Sequence, residues 1–111
     1  MSSKLDNYDQ IVNETALMTG ETARIGYSTL NLTSEAGEVA GKFAKALRDG
    51  TDTSTDEFKQ SVLKELGDVL WCVSLLSTTL GSSLDEVLDQ NAEKVLDRQK
   101  RGVTTGSGDD R

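Results

Sequence analysis

The chain has 111 residues, enough for one domain, with no proline, few aromatics and 35% hydrophobic residues, a composition that favours helices over sheet. Its net charge of −7 argues against direct nucleic-acid or membrane binding, because phosphates are repelled overall. The absence of histidine removes His-based triads, the usual zinc sites and the Glu-x-x-His ligands of di-iron bundles.

Cys72 stands alone, so no internal disulfide forms and a reducing compartment is expected. The N-terminal stretch lacks the apolar run of a signal peptide or a membrane span. A soluble, cytoplasmic protein is the expectation.

In chain order, helical spacing predicts a first helix from about Lys4 to Ala16, with Tyr8, Ile11, Val12 and Thr15 on one face. "LMTGETARIG" follows with a glycine at each end and reads as a loop. The second helix is expected from Tyr27 to Asp49, ending at Gly50, with Leu32, Ala36, Val39, Ala40, Phe43 and Leu47 as its buried stripe.

After the polar "DGTDTSTDE", Ser54 and Glu57 fit a capping box opening the third helix. Phe58, Val62, Leu66, Val69, Val73, Leu76 and Leu80 make that helix the apolar centre of the chain. Gly81-Ser82 turns the backbone, and Ser83 with Glu86 caps a fourth helix running through Leu84, Val87, Leu88 and Val95 to about Lys100. Residues 1–102 form the helical domain. "RGVTTGSGDDR" closes the sequence, and 103–111 reads on composition as a Gly-rich, flexible tail. Short connectors between amphipathic helices imply an all-α, four-helix bundle-like fold. The lean core implies that copies of the chain cover part of its apolar surface.

Two acid pairs stand out. Residues three apart share a helix face, so Glu35 and Glu38 form a strip with Asn31 and Lys42 beside the second helix's apolar stripe. Glu65 and Asp68 do the same with Ser61 and Cys72 on the third. A lone E-x-x-E is usually a solvated face. Two pairs bordering the core of successive helices can instead converge in a partly desolvated cleft, where like charges raise each other's pKa unless a cation intervenes. Hard oxygen ligands of this kind suit Mg²⁺, or Mn²⁺. Gly37 and Gly67 reduce bulk beside each pair and leave room for a neighbouring backbone or a ligand. Each costs on the order of 1 kcal/mol of helix propensity.

The fourth helix carries Asn91, Lys94, Arg98 and Arg101 along one side. Cations near a helix C-terminus stabilise it through the dipole; facing a bound metal, the same strip would grip a polyphosphate. Asn91 is expected nearest the buried side. Lys42 and Lys45 either assist or are exposed lysines. Trp71 is expected to pack between helices or to stack on a base, and Cys72 to act as a small apolar residue.

"LTSEAGEVAGK", "KELGDVLW", "LGSSLDEVLDQN", "NAEKVLDRQKRG" and "GSGDDR" occur in this order over nearly the whole chain. Together they resemble the MazG-like family of all-helical nucleoside triphosphate pyrophosphohydrolases, relatives of the dimeric dUTPases and dCTP pyrophosphatases. The resemblance implies that Glu35, Glu38, Glu65 and Asp68 ligate Mg²⁺ while water attacks the α-phosphorus, giving a nucleoside monophosphate and pyrophosphate. It also implies that Asn91, Lys94 and Arg98 contact the triphosphate, and that the chain assembles as a homodimer or homotetramer. The tail resembles those of short single-domain members and on that ground is expected to fold over a site.

Ser34 stands where many members carry a further acid, E-E-x-x-E, and Cys72 where an aromatic is frequent. Glu38, with Glu35 beside it, is therefore assigned as the group that activates water. A phosphoribosyl-ATP pyrophosphohydrolase would use similar chemistry. A non-catalytic helical module that senses nucleotides is the alternative of a different class.

Overall fold

Ser3 accepts a hydrogen bond from the backbone N–H of Asp6, whose carboxylate accepts from the Ser3 N–H in return, closing a capping box at the start of α1 (Lys4–Thr15). The computed structural model describes residues 3–111, and four helices make up its regular structure: α1, α2 (Glu21–Asp49), α3 (Asp56–Thr79) and α4 (Leu84–Arg101). Among the described residues there is no strand. The all-α expectation holds.

Two boundaries differ from the sequence reading. The second helix starts at Glu21, not near Tyr27, and absorbs Gly26. Only Ala16–Gly20 is connector, and Gly20 turns the chain with φ +91, a conformation that favours glycine. Arg24 holds this turn: its Nε donates to the Met18 carbonyl at 3.1 Å and an Nη to Asn13 Oδ1 at 2.7 Å. The third helix is capped by Thr55, whose hydroxyl accepts from the Phe58 N–H at 3.2 Å, while Ser54 turns to Asp52. At α4 the Ser83 cap is present, accepting from the Glu86 N–H, but the Glu86 carboxylate goes to Ser82 and Gln90 rather than back to Ser83.

α2 and α3 pack as a long hairpin, and α1 and α4 close over the C-terminal half of α3. The fully enclosed core sits there: Val12, Cys72, Leu75 and Leu84, with Ser74 and Ser77. Asp9 is buried among them. It accepts from Ser74 Oγ at 2.6 Å and from the Leu84 N–H at 3.1 Å, so one carboxylate of α1 pins α3 and satisfies an unpaired amide at the start of α4.

Among the described residues, no third helix covers the other end of the hairpin. The α2 stripe is consequently more open than its periodicity suggests: Leu47 is 87% exposed and Phe43 48%, while the buried residues of α2 are Ser28 and Ala46. Phe43 meets Phe58 edge to face, ring centres 5.2 Å apart. On α3, Leu66 and Leu80 are exposed, and on α4 so are Val87, Leu88 and Val95. The radius of gyration is 16.8 Å, against about 13 Å for a compact chain of this length. A helical wheel assigns an apolar face; it does not supply the partner that covers it.

Residues 103–111 do not project away. The Val103 N–H bonds the Arg98 carbonyl, Gly102 closes α4 in the left-handed region, and the tail turns back along the helix. Arg111 donates to the carbonyls of Val103, Thr104 and Gly108.

Candidate metal centre and nucleotide groove

The acid pairs sit on successive turns of α2 and α3 where these helices pack together. Glu35, Glu38 and Glu65 each offer a carboxylate oxygen within 4.8 Å of the others. Glu35 and Glu65 are half-buried and Glu38 is exposed, so the cluster lies at the mouth of the helix interface. Glu35 Oε2 and Glu65 Oε2 are buried with no hydrogen-bond partner among the described residues. A buried carboxylate oxygen without a donor is costly, and a cation removes that cost. The donor set is all hard oxygen, which fits Mg²⁺ or Mn²⁺ rather than a soft metal.

The Glu38 carboxyl beside it is the main cause holding the Glu65 carboxyl above its usual range; desolvation and the charge of Asp68 add to it, and Lys42 opposes it. Lys42 Nζ lies 3.9 Å from Glu65 Oε1.

Asp68 stands slightly apart from the three glutamates. With Glu35 it lines a neighbouring cavity of about 250 Å³, completed by Tyr27, Asn31 and Trp71. Trp71 and Tyr27 meet edge to face at 6.2 Å, and the Trp71 indole N–H donates to Thr15 Oγ1 at 3.1 Å. Asn31 donates to Cys72 Sγ at 3.4 Å. Burial raises the Cys72 thiol pKa, the Asn31 hydrogen bond opposing and the Glu35 and Asp68 charges reinforcing. The thiol is a packing group, as expected.

Tyr27 was not a candidate on sequence, although a signal existed: Tyr27, Asn31 and Glu35 recur every four residues and so share a face. On the far side of the cluster, Gly37 and Gly41 with Glu38, Lys42, Lys45 and Glu65 line a second hollow. A Cβ added at Gly37 or Gly67 would meet nothing within 4 Å. The glycines leave open space, and among the described residues no backbone fills it.

The basic strip is placed differently. α4 packs on α1 and α3 and makes no contact with α2 among the described residues. Asn91 is exposed, not near the buried side. Lys94 and Arg98 both bind Asp109 Oδ1, at 3.2 and 3.1 Å, and Arg98 also donates to the Gly108 and Asp109 carbonyls. These cations hold the Asp109 carboxyl below its usual range, the Lys94 hydrogen bond being the largest cause. Arg101 pairs with Asp97 and the chain terminus. Within one chain, Lys42 is the predicted phosphate contact that lies beside the acids.

Residues 27–103 match the MazG nucleotide pyrophosphohydrolase domain, a span that contains all four acids and the α4 strip. The chain is 38% identical over 112 residues to the Gene 37 protein of Mycobacterium phage L5, covering 96% of this chain and 98% of that one. It is 33% identical over 70 residues to the protein YvdC of Bacillus subtilis (strain 168), covering 55% of this chain and 66% of that protein. No solved structure matches. No helix among the described residues is long and apolar enough to cross a membrane. With its acids gathered on two packed helices and the domain match spanning most of its length, the chain belongs to the MazG nucleotide pyrophosphohydrolase family.

Proposed function

We propose that the protein is a Mg²⁺-dependent pyrophosphohydrolase that cleaves nucleoside triphosphates, ribo- or deoxy-, between the α and β phosphates. The products are a nucleoside monophosphate and pyrophosphate. The observation that carries this reading is the gathering of Glu35, Glu38 and Glu65 around two buried, unpartnered carboxylate oxygens, in a chain of this family.

Glu35, Glu38 and Glu65 would hold the ion, with Asp68 alongside. A divalent ion there, Mg²⁺ or Mn²⁺, would neutralise phosphoryl oxygens and acidify water. Glu38, the exposed member of the cluster, orients the attacking water and takes up its proton, with Glu35 beside it. Lys42, next to Glu65, meets the phosphates as they enter the groove and offsets part of the cluster's negative charge.

Asn91, Lys94 and Arg98 contact the triphosphate from a second copy of the chain, since α4 does not touch α2 in its own. The exposed Leu30, Leu47, Leu63 and Leu66 favour a homodimer or homotetramer that covers them.

The test is to incubate the purified protein with a panel of NTPs and dNTPs, with Mg²⁺ and with EDTA, and to separate the products. Monophosphate plus pyrophosphate, lost in EDTA, is expected. Diphosphate plus orthophosphate places the cut at the wrong bond and sinks the reading, as does turnover that survives EDTA.

A further inference from the structure

The segment that turns back along α4 is built rather than slack. Gly106 and Gly108 have φ of +112 and +88, a region that residues with a side chain rarely adopt. Arg111 closes the turn from within. Its Nε donates to the Val103 carbonyl at 3.1 Å, Nη1 to Gly108 at 2.7 Å and Nη2 to Thr104 at 3.1 Å. The turn delivers Asp109 to Lys94 and Arg98, the cations assigned above to the triphosphate.

Asp109 meets both cations through a single oxygen, Oδ1, at 3.2 Å from Lys94 Nζ and 3.1 Å from Arg98 Nη2. Arg98 is only 9% exposed. Among the described residues its Nη2 alone is engaged, by Asp109 Oδ1 and by the carbonyls of Gly108 and Asp109. Its Nε is buried with no acceptor. A guanidinium pairs best with a carboxylate or phosphate through two parallel N–H groups, so the tail satisfies Arg98 in part.

The Asp109 side chain is 82% exposed, where water and salt screen an ion pair and leave it worth little. A triphosphate brings several negative charges against the single one of Asp109, and enough oxygens to meet both cations separately. The contact therefore occupies the cations without holding them against such a competitor.

We infer that the tail is an autoinhibitory latch: Asp109 stands in for a phosphate on Lys94 and Arg98, and an oligophosphate must displace it before α4 serves the site. This rests on the pyrophosphohydrolase reading above and adds to it that each copy keeps its own phosphate grip closed until substrate arrives. A competitor within the chain lowers the apparent affinity by the fraction of molecules whose grip is open. For contacts this exposed, the reduction is about five-fold.

The experiment titrates the full chain, in Mg²⁺, with inorganic tripolyphosphate by calorimetry, and follows the Gly106 and Gly108 amides by ¹⁵N NMR. Tripolyphosphate is expected to bind the parent chain and to shift both amides to the sharp, averaged signals of a released segment. Asp109→Ala should bind it about five-fold more tightly. Asp110→Ala removes the same charge from a neighbour that pairs with no cation among the described residues, and should leave the affinity at the parent value. Gly108→Ala adds a methyl that meets nothing within 4 Å. It strains only the backbone of the turn and should tighten binding with no change of charge.

Helical circular dichroism should be the same for all four proteins. Equal tightening by Asp109→Ala and Asp110→Ala reduces the effect to net charge and overturns the latch. Parent-like affinity in Asp109→Ala overturns it too, as does binding that leaves the Gly106 and Gly108 amides unmoved. In each of these cases the nucleotide panel still decides the pyrophosphohydrolase reading by itself. If none of the four proteins binds tripolyphosphate, the phosphate grip assigned to α4 falls, and the latch with it.

Discussion

Glu38 of α2 and Glu65 of α3 face each other across the helix interface with carboxylate oxygens within 4.8 Å, close enough for each to disfavour the other's charge. The Glu38 carboxyl is the main cause holding the Glu65 carboxyl above the ordinary value of 4.5. A folded-state pKa raised above the unfolded one contributes stability below the unfolded value, and that contribution is lost as pH rises through the folded value. In EDTA, the melting temperature should therefore fall as pH is raised from 4.5 toward neutrality. Glu65→Gln should flatten that slope, and Mg²⁺ should raise the melting temperature more at neutral pH than at pH 4.5. A pH-independent melting curve in EDTA would show that Glu38 does not hold the Glu65 carboxyl up.

Turnover should depend on Glu38 more than on fold integrity. Glu38→Gln keeps the helix and the volume while removing the proton acceptor, a change that typically costs 10²–10⁴-fold. Steady-state release of pyrophosphate should drop by about 10²-fold or more with the helical circular dichroism unchanged. Activity within a few-fold of the parent protein would move the water-activating role to another residue.

Asp68 provides a second point of leverage on the same site. Asp68→Asn removes one negative charge from the cavity that it shares with Glu35, and turnover should be abolished without loss of helicity. Full activity in this variant would remove Asp68 from the ion's coordination and leave the three glutamates as the whole cage.

Asp9 should matter for stability and not for chemistry. Its carboxylate joins Ser74 and the Leu84 amide in the enclosed core, and Asp9→Ala strands both donors. The expected loss is about 3 kcal/mol, read as a lowered urea midpoint at unchanged slope. Asp9→Asn, which keeps an acceptor, should lose less.

Assembly is open to a direct measurement. The parent chain should sediment as a dimer or tetramer, and Leu47→Glu together with Leu63→Glu should shift it toward the monomer, because a charge in a buried apolar contact is strongly disfavoured. A monomer at all concentrations would contradict the role proposed for Lys94 and Arg98, which on that proposal contact the triphosphate from a second copy.

The four helices and the acid pairs were legible because each rests on local spacing: three- and four-residue recurrences need no knowledge of the rest of the chain. What failed did so for physical reasons that are not local. Gly20 and Gly26 made 17–26 read as a loop, yet a glycine inside a helix costs only ~1 kcal/mol, and the Arg24 bonds to Met18 and Asn13 support the early turn. Asp9 drew no attention in the sequence, although it lies four residues after Leu5 and three before Val12 on the inward face. The pairing of Lys94 and Arg98 with Asp109 joins a helix to a tail more than ten residues on, and no periodicity announces it. The burial of α2 was overestimated because an apolar stripe states a need for cover without naming what provides it.

Every acid of the site is borne on an unbroken helical turn, with the connectors at 50–55 and 80–83 well away from it. Inserting or deleting one residue between Glu35 and Glu38, or between Glu65 and Asp68, would swing everything beyond it by about 100° and scatter the cage. An added residue in either connector would leave the helical phase intact. Drift in length across this lineage should therefore be confined to the joints, and a chain engineered for new substrates can be lengthened there without re-timing its chemistry.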